Sequence, residues 1–177
     1  RRSSAASDVY KRQEYLNKLL ETKDEDFVIA SDTDSIYITF DKLVDKVFEK
    51  GTDVQKIVNF LDKIATEKIE PYIDKSYQTL ADMMSAYDQK MFMKREVIAD
   101  KGIWTAKKRY ILNAWDIEGV RFKEPQLKVM GIESVKSSTP APCRVKIKEA
   151  LQIIMKGGEQ ELNDFLISFR KEFKNLP

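Results

Sequence analysis

Apolar residues change period along the chain, and each change marks an element. Leu16, Leu19 and Leu20 share one face of a short helix over 14–23. Phe27-Val28-Ile29-Ala30 is a continuous apolar run with strand character. Ser35 to Phe40 alternates β-branched and aromatic residues and reads as a second strand. Between them lie the turn formers Asp32-Thr33-Asp34, so the pair predicts a hairpin with two carboxylates at its tip. Thr52 and Gln55 have capping-box spacing, after which Ile57, Leu61, Ile64, Ala65 and Ile69 mark one helical face. Pro71 interrupts or kinks that helix, whose pattern resumes through Leu80 and Met84.

Strand patterns then return. Met91 to Ala99 reads as a strand, Asp100-Lys101-Gly102 as a turn, and Ile103 to Trp115 as a further strand. Glu118-Gly119 and Glu124-Pro125 predict two more turns, with Leu127 to Ile132 a last strand. Lys136 to Pro142 is a polar linker. Beyond it Ile147, Leu151, Ile154 and Met155 follow helical spacing, Gly157-Gly158 breaks the helix, and Leu162, Phe165, Leu166, Phe169 and Phe173 start another. The expectation is an α+β fold: a mixed unit over 14–135, then a largely helical stretch over 136–177.

Composition narrows the chemistry. The chain has 177 residues, 42% hydrophobic and 34% charged, enough to bury a core in one domain or in one and part of a second. No apolar run reaches the roughly 18 residues of a membrane span, and no secretory signal is expected ahead of the fold. Cys143 is alone and histidine is absent, which excludes an internal disulfide, Ser-His and Cys-His nucleophiles and the usual zinc sites. Any catalytic metal must be held by oxygen, which suits Mg²⁺, Mn²⁺ or Ca²⁺.

Residues 3–13, SSAASDVYKRQ, resemble a translated sequencing adapter, so 1–13 are set aside as an adapter-like artefact expected to be disordered. That stretch carries Arg1, Arg2, Lys11 and Arg12 against Asp8, a net of +3. The formal +2 of the chain thus becomes −1 for the remainder, and any argument for a polyanionic partner must be local.

Asp32-Thr33-Asp34-Ser35 is the most informative motif. An isolated Asp-x-Asp is usually only a turn, but apolar strands on both sides are unusual for a solvated one. Two carboxylates on a rigid hairpin can present oxygen to a divalent ion. An EF-hand loop needs Gly at its sixth position, where Tyr37 stands. A dehalogenase-type phosphatase also carries Asp-x-Asp after a strand, with Asp32 as nucleophile, but its chain should then enter a loop and helix. The second signal is basic. Over residues 90–109, Lys90, Lys94, Arg95, Lys101, Lys107, Lys108 and Arg109 stand against Glu96 and Asp100, a local net of +5, with Trp104, Tyr110 and Trp115 interleaved. Such cation density suits phosphate, although a solvated charge cluster, or a non-catalytic duplex-binding module, would look similar.

Together these landmarks, from Phe27 to Pro177, resemble the palm and early thumb of a family B DNA polymerase of T4-like bacteriophages. The matching residues are Asp32 to Tyr37, Met91-Phe92-Met93, Arg95-Glu96, Trp104-Thr105, Lys107-Lys108-Arg109-Tyr110, Trp115-Asp116 with Glu118-Gly119, Met130-Gly131 and Lys136 to Pro140. The resemblance implies an antiparallel palm sheet packed with helices over 14–135 and the start of a helical thumb over 136–177. It implies Asp34 as principal catalytic metal ligand, Asp32 as an auxiliary one, and Thr33 and Ser35 shaping the turn. It implies two Mg²⁺ ions in the intact enzyme, with Mn²⁺ as a substitute, and primer–template DNA and dNTP as substrates. Lys107, Lys108, Arg109 and Tyr110 would hold the duplex near the primer terminus, Lys108 most directly. Lys136 and Ser137 would meet duplex phosphates, and Glu96 would be an outer carboxylate. A sliding clamp would be a partner of the full-length parent, bound beyond Pro177, and the setting would be the cytoplasm of an infected bacterium. Ser31 stands where the family commonly has Gly, and Lys94 where an acidic residue is expected. The upstream aspartate and fingers motifs of the family do not occur here, so the chain is expected to be an inactive fragment. Asp116-x-Glu118 looks like an exonuclease metal motif but is expected to be a hairpin end.

Overall fold

The computed structural model describes residues 13–18, 20, 22–23, 25–32 and 34–174. It divides into two compact units, one ending at Arg95 and one beginning at Glu96. The expected α+β class is borne out.

In the first unit, a helical segment over 13–18 (α1) is tied to the chain that follows it. The Gln13 side-chain oxygen accepts from the backbone N–H of Phe27 and Val28, at 3.0 and 3.1 Å. Asn17 both accepts from Glu25 N and donates to Glu25 O. These bonds satisfy backbone groups that no strand partner reaches, and they fix where the next element begins. That element is a hairpin of β1 (Val28–Ser31) and β2 (Ile36–Ile38). After it come α2 (Asp41–Val47), α3 (Val54–Ile64), a π-helical turn (Ala65–Ile69) and α4 (Glu70–Met83). Leu16, Phe27, Val58 and Ile73 are the buried apolar side chains among the described residues of this unit. Pro71 lies in the first turn of α4, directly after the π-helical turn. It lacks an N–H and crowds the preceding turn, and a local widening accommodates both without ending the helix. Tyr15 stacks on Tyr72 with ring centroids 3.7 Å apart, and its hydroxyl donates to the Lys68 carbonyl in the widened turn. The cap of α3 differs from the expected one. Asp53, not Thr52, is the N-cap, accepting from Gln55 N, while the Thr52 hydroxyl donates to Glu49 O.

The second unit is built on an antiparallel meander of β3 (Val97–Ala106), β4 (Arg109–Ile117) and β5 (Val120–Met130), in that order across the sheet. A 3-10 turn (Glu133–Val135), α5 (Ala141–Lys156) and α6 (Glu159–Lys174) follow. The central strand is the most buried: Ile111, Leu112, Asn113 and Ala114 are all inside. Ile111 and Ile132 meet Leu151 and Met155 of α5 in one core, flanked by Leu127, Val129 and Ile147.

Three expected strand boundaries are corrected. Met91 to Arg95 are not a strand; β3 begins at Val97. Asp100-Lys101-Gly102 do not turn but lie within β3, where Lys101 and Gly102 pair with Asn113 and Leu112 of β4 and Asp100 sits at a shift in register. The expected single strand over 103–115 is divided by a turn at Lys107-Lys108. Glu118-Gly119 do form a turn, with φ of +52° and +85°, the two left-handed residues of a type I′ hairpin. Glu124-Pro125 fall inside β5, in a stretch where Phe122 to Pro125 face the single residue Trp115 without one-to-one pairing. Pro125 is tolerated there because β5 is an edge strand at an irregularity.

Candidate metal hairpin and nucleic-acid interface

The β1–β2 hairpin places Asp32 to Ser35 at its bend. Ser31 pairs with Ile36, and Asp32 N–H donates to Ser35 O at 2.9 Å, closing the turn. At the other end, Thr39 N–H donates to Phe27 O at 2.8 Å. Asp34 is exposed and Asp32 half-buried; Thr33 lies outside the described residues. Ser31 keeps a negative φ within β1, so the position that Gly commonly fills needs no left-handed backbone here. The return of the chain as Ile36–Ile38, antiparallel to Val28–Ser31, is the opposite of the strand–loop–helix exit a dehalogenase-type phosphatase needs. The two carboxylates at this bend are hard oxygen donors of the kind Mg²⁺ or Mn²⁺ takes. No set of three or more acidic, His or Cys side chains gathers among the described residues.

The basic segment resolves into separate roles. Arg95 donates to Asp62 through Nε at 2.9 Å, and its backbone N–H bonds Glu70. Lys101 Nζ donates to the Met155 carbonyl at 2.9 Å. Arg95 and Lys101, two members of the expected +5 cluster, thus have partners within the protein. Lys107 and Lys108 form the tip of the β3–β4 hairpin, both exposed, with Lys108 at φ +60°. Tyr110, half-buried, pairs with Trp104 across the hairpin and with Met130 on the other side. Arg109 Nη2 donates to both oxygens of Glu133, at 2.6 and 2.7 Å. Lys136 Nζ approaches the same carboxylate at 3.3 Å, and Ser137 beside it is exposed. The Glu133 carboxyl titrates below its ordinary range, first because its own backbone N–H donates to it, then through Lys136 and the charge of Arg109, with burial opposing. Glu96 is engaged by Lys128, and its carbonyl accepts from Glu118 N–H.

Asp116 is fully buried, paired with Arg121, and accepts from Gly119 N–H at 3.0 Å. The Asp116-x-Glu118 pattern is thus a hairpin end, as expected. Glu133 escaped notice in the sequence. Its only signal was a lone acid three residues before Lys136, after a strand end.

The model of the divergent family B DNA polymerases matches residues 20–163, and the chain belongs to this family. It is 47% identical over 158 residues to the DNA-directed DNA polymerase of Escherichia phage RB69, across 84% of this chain and 18% of that protein. It is 40% identical over 175 residues to the DNA-directed DNA polymerase of Enterobacteria phage T4, across 94% of this chain and 20% of that protein. The chain therefore spans about a fifth of the length of these relatives.

Proposed function

We propose that the chain is the segment of a phage-encoded, template-directed DNA polymerase that supplies one half of the nucleotidyl-transfer site and a grip on the primer–template duplex, acting in the cytoplasm of the infected host. The observation that carries this reading is the acidic bend between β1 and β2, closed by the Asp32–Ser35 hydrogen bond in a chain of this polymerase family. Residues 14–135 would belong to the palm and 136–177 to the start of the thumb.

In the intact enzyme Asp34, with Asp32 beside it, would hold Mg²⁺ or Mn²⁺. A bound divalent ion supplies charge neutralisation and lowers the pKa of the primer 3′-hydroxyl. The reaction joins the primer 3′-oxygen to the α-phosphorus of a dNTP and releases pyrophosphate. The short paired strands keep the carboxylates from drifting, which matters because a shift of ~1 Å can cost a hundredfold in rate. The exposed Lys107–Lys108 tip offers cations to duplex phosphates without reading sequence, as a replicative enzyme requires. Ser137 would add a hydroxyl to phosphate, and Glu96 would act as an outer carboxylate where Lys128 releases it. A sliding clamp would bind outside this segment.

The test is Asp34→Ala in a full-length polymerase carrying this segment. Primer extension should fall at least a thousandfold while duplex affinity changes less than about threefold. Near-normal extension would remove Asp34 from the site.

A further inference from the structure

Two cations that the duplex reading sends toward phosphate converge on one acid of the protein instead. Arg109 opens β4, Lys136 follows the 3-10 turn, and both reach Glu133. Arg109 Nη2 contacts both carboxylate oxygens, and Arg109 Nε is shut away from solvent. The guanidinium therefore faces the protein along that edge. Close by, Gly131 adopts φ +67°, and its missing side chain lets the backbone of Lys108 approach. The hairpin tip, the end of β5 and the start of the segment leading to α5 are joined at this point.

We propose that Arg109 and Glu133 form a brace that fixes the pose of the Lys107–Lys108 tip, so that Arg109 is a positioning residue and the tip lysines make the phosphate contact. The inference rests on the duplex-gripping role proposed above, and it differs from a simple electrostatic account in sign. Glu133 places a negative charge on a surface meant to bind a polyanion. If Glu133 only diluted positive charge, removing it would tighten binding. If it braces the tip, removing it loosens binding.

The experiment measures duplex affinity against salt concentration for a full-length polymerase carrying this segment, by fluorescence anisotropy of a labelled primer–template. Lys108→Ala should weaken binding and reduce the salt slope by about 0.9, the signature of one lost phosphate contact. Glu133→Gln should weaken binding roughly three- to tenfold with the slope unchanged, and the exchanged pair Arg109→Glu with Glu133→Arg should regain most of that loss. Tighter or unchanged binding by Glu133→Gln overturns the brace. Should Glu133→Gln lower the melting temperature so far that binding is lost through unfolding, the exchanged pair decides: recovery supports the brace, and a folded but unrecovered protein overturns it. If instead Lys108→Ala changes neither affinity nor slope, the duplex-gripping role itself fails, a result separable from the Glu133 outcome.

Discussion

Gly131 packs against the Lys108 backbone so closely that a Cβ at 131 would overlap the Lys108 carbonyl oxygen and lie 3.1 Å from Arg109 Cγ. Backbone cannot swing aside as a flexible side chain can, and the φ of +67° adds strain for any L residue. Gly131→Ala should therefore destabilise by ~1–3 kcal/mol, read by denaturant unfolding. It should also displace the hairpin tip, read as faster proteolysis at Lys107 and Lys108. A neutral effect on both would show that the approach is not a constraint.

The Asp32–Asp34 hairpin was legible because two independent signals agreed there: apolar strands on both sides and turn formers between. The β3–β4 hairpin was not legible, because its tip carries no Gly, Asn or Asp. Lys108 takes φ +60° despite its side chain, held by the register of the flanking strands and by Gly131. Asp100 and Gly102 misled in the opposite direction. Asp100 accepts from the buried Asn113, and a Cβ at Gly102 would run into the Trp104 ring and Leu112. Gly102 is thus a strand glycine that makes room for an indole rather than a turn glycine. Cation counting failed similarly at Arg95 and Lys101, since partners for these residues come from positions remote in sequence, Asp62 and Met155. For the candidate site, the residue types were readable, but the Glu133 hub needed the fold.

Asp116 offers a test of structural against catalytic chemistry. It is fully buried, and its removal would strand the partly buried Arg121 and free Gly119 N–H from its acceptor. Asp116→Ala should cost about 2–4 kcal/mol in unfolding free energy. Any 3′–5′ exonuclease activity of the full-length enzyme should survive at temperatures where the variant remains folded. Selective loss of exonuclease activity, with stability intact, would return this residue to a metal site.

The seating of α5 on the sheet rests on Leu151 and Met155 against Ile111 and Ile132. Leu151→Ala should destabilise this unit by about 2–5 kcal/mol, and Ile111→Val by only ~0.5–1.5, because the second change leaves a much smaller void. Chemical denaturation of both variants checks the ratio. Equal effects would mean that the helix does not close the core.

Expressed as these 177 residues, the chain should bind a primer–template duplex weakly and extend no primer, since no group of three or more candidate metal ligands, around the proposed Asp32–Asp34 site or elsewhere, gathers among the described residues. The measurement is dNTP incorporation by protein purified from a strain lacking contaminating polymerases, with Asp34→Ala as background. Incorporation above that background would mean that the chain completes the site by itself.

Acid should report on the Glu133 brace. Its carboxyl is held below the ordinary value of 4.5 by its own backbone N–H, Lys136 and Arg109. A carboxyl whose folded pKa is depressed favours the folded state at every pH above its unfolded value. That contribution fades only as pH falls from 4.5 through the lower folded value. The difference in melting temperature between the parent and Glu133→Gln should accordingly be flat from pH 8 down to about 5 and shrink below 4.5. A difference that grows in acid, or stays flat through the whole titration, would mean that the carboxylate is not stabilised where it lies.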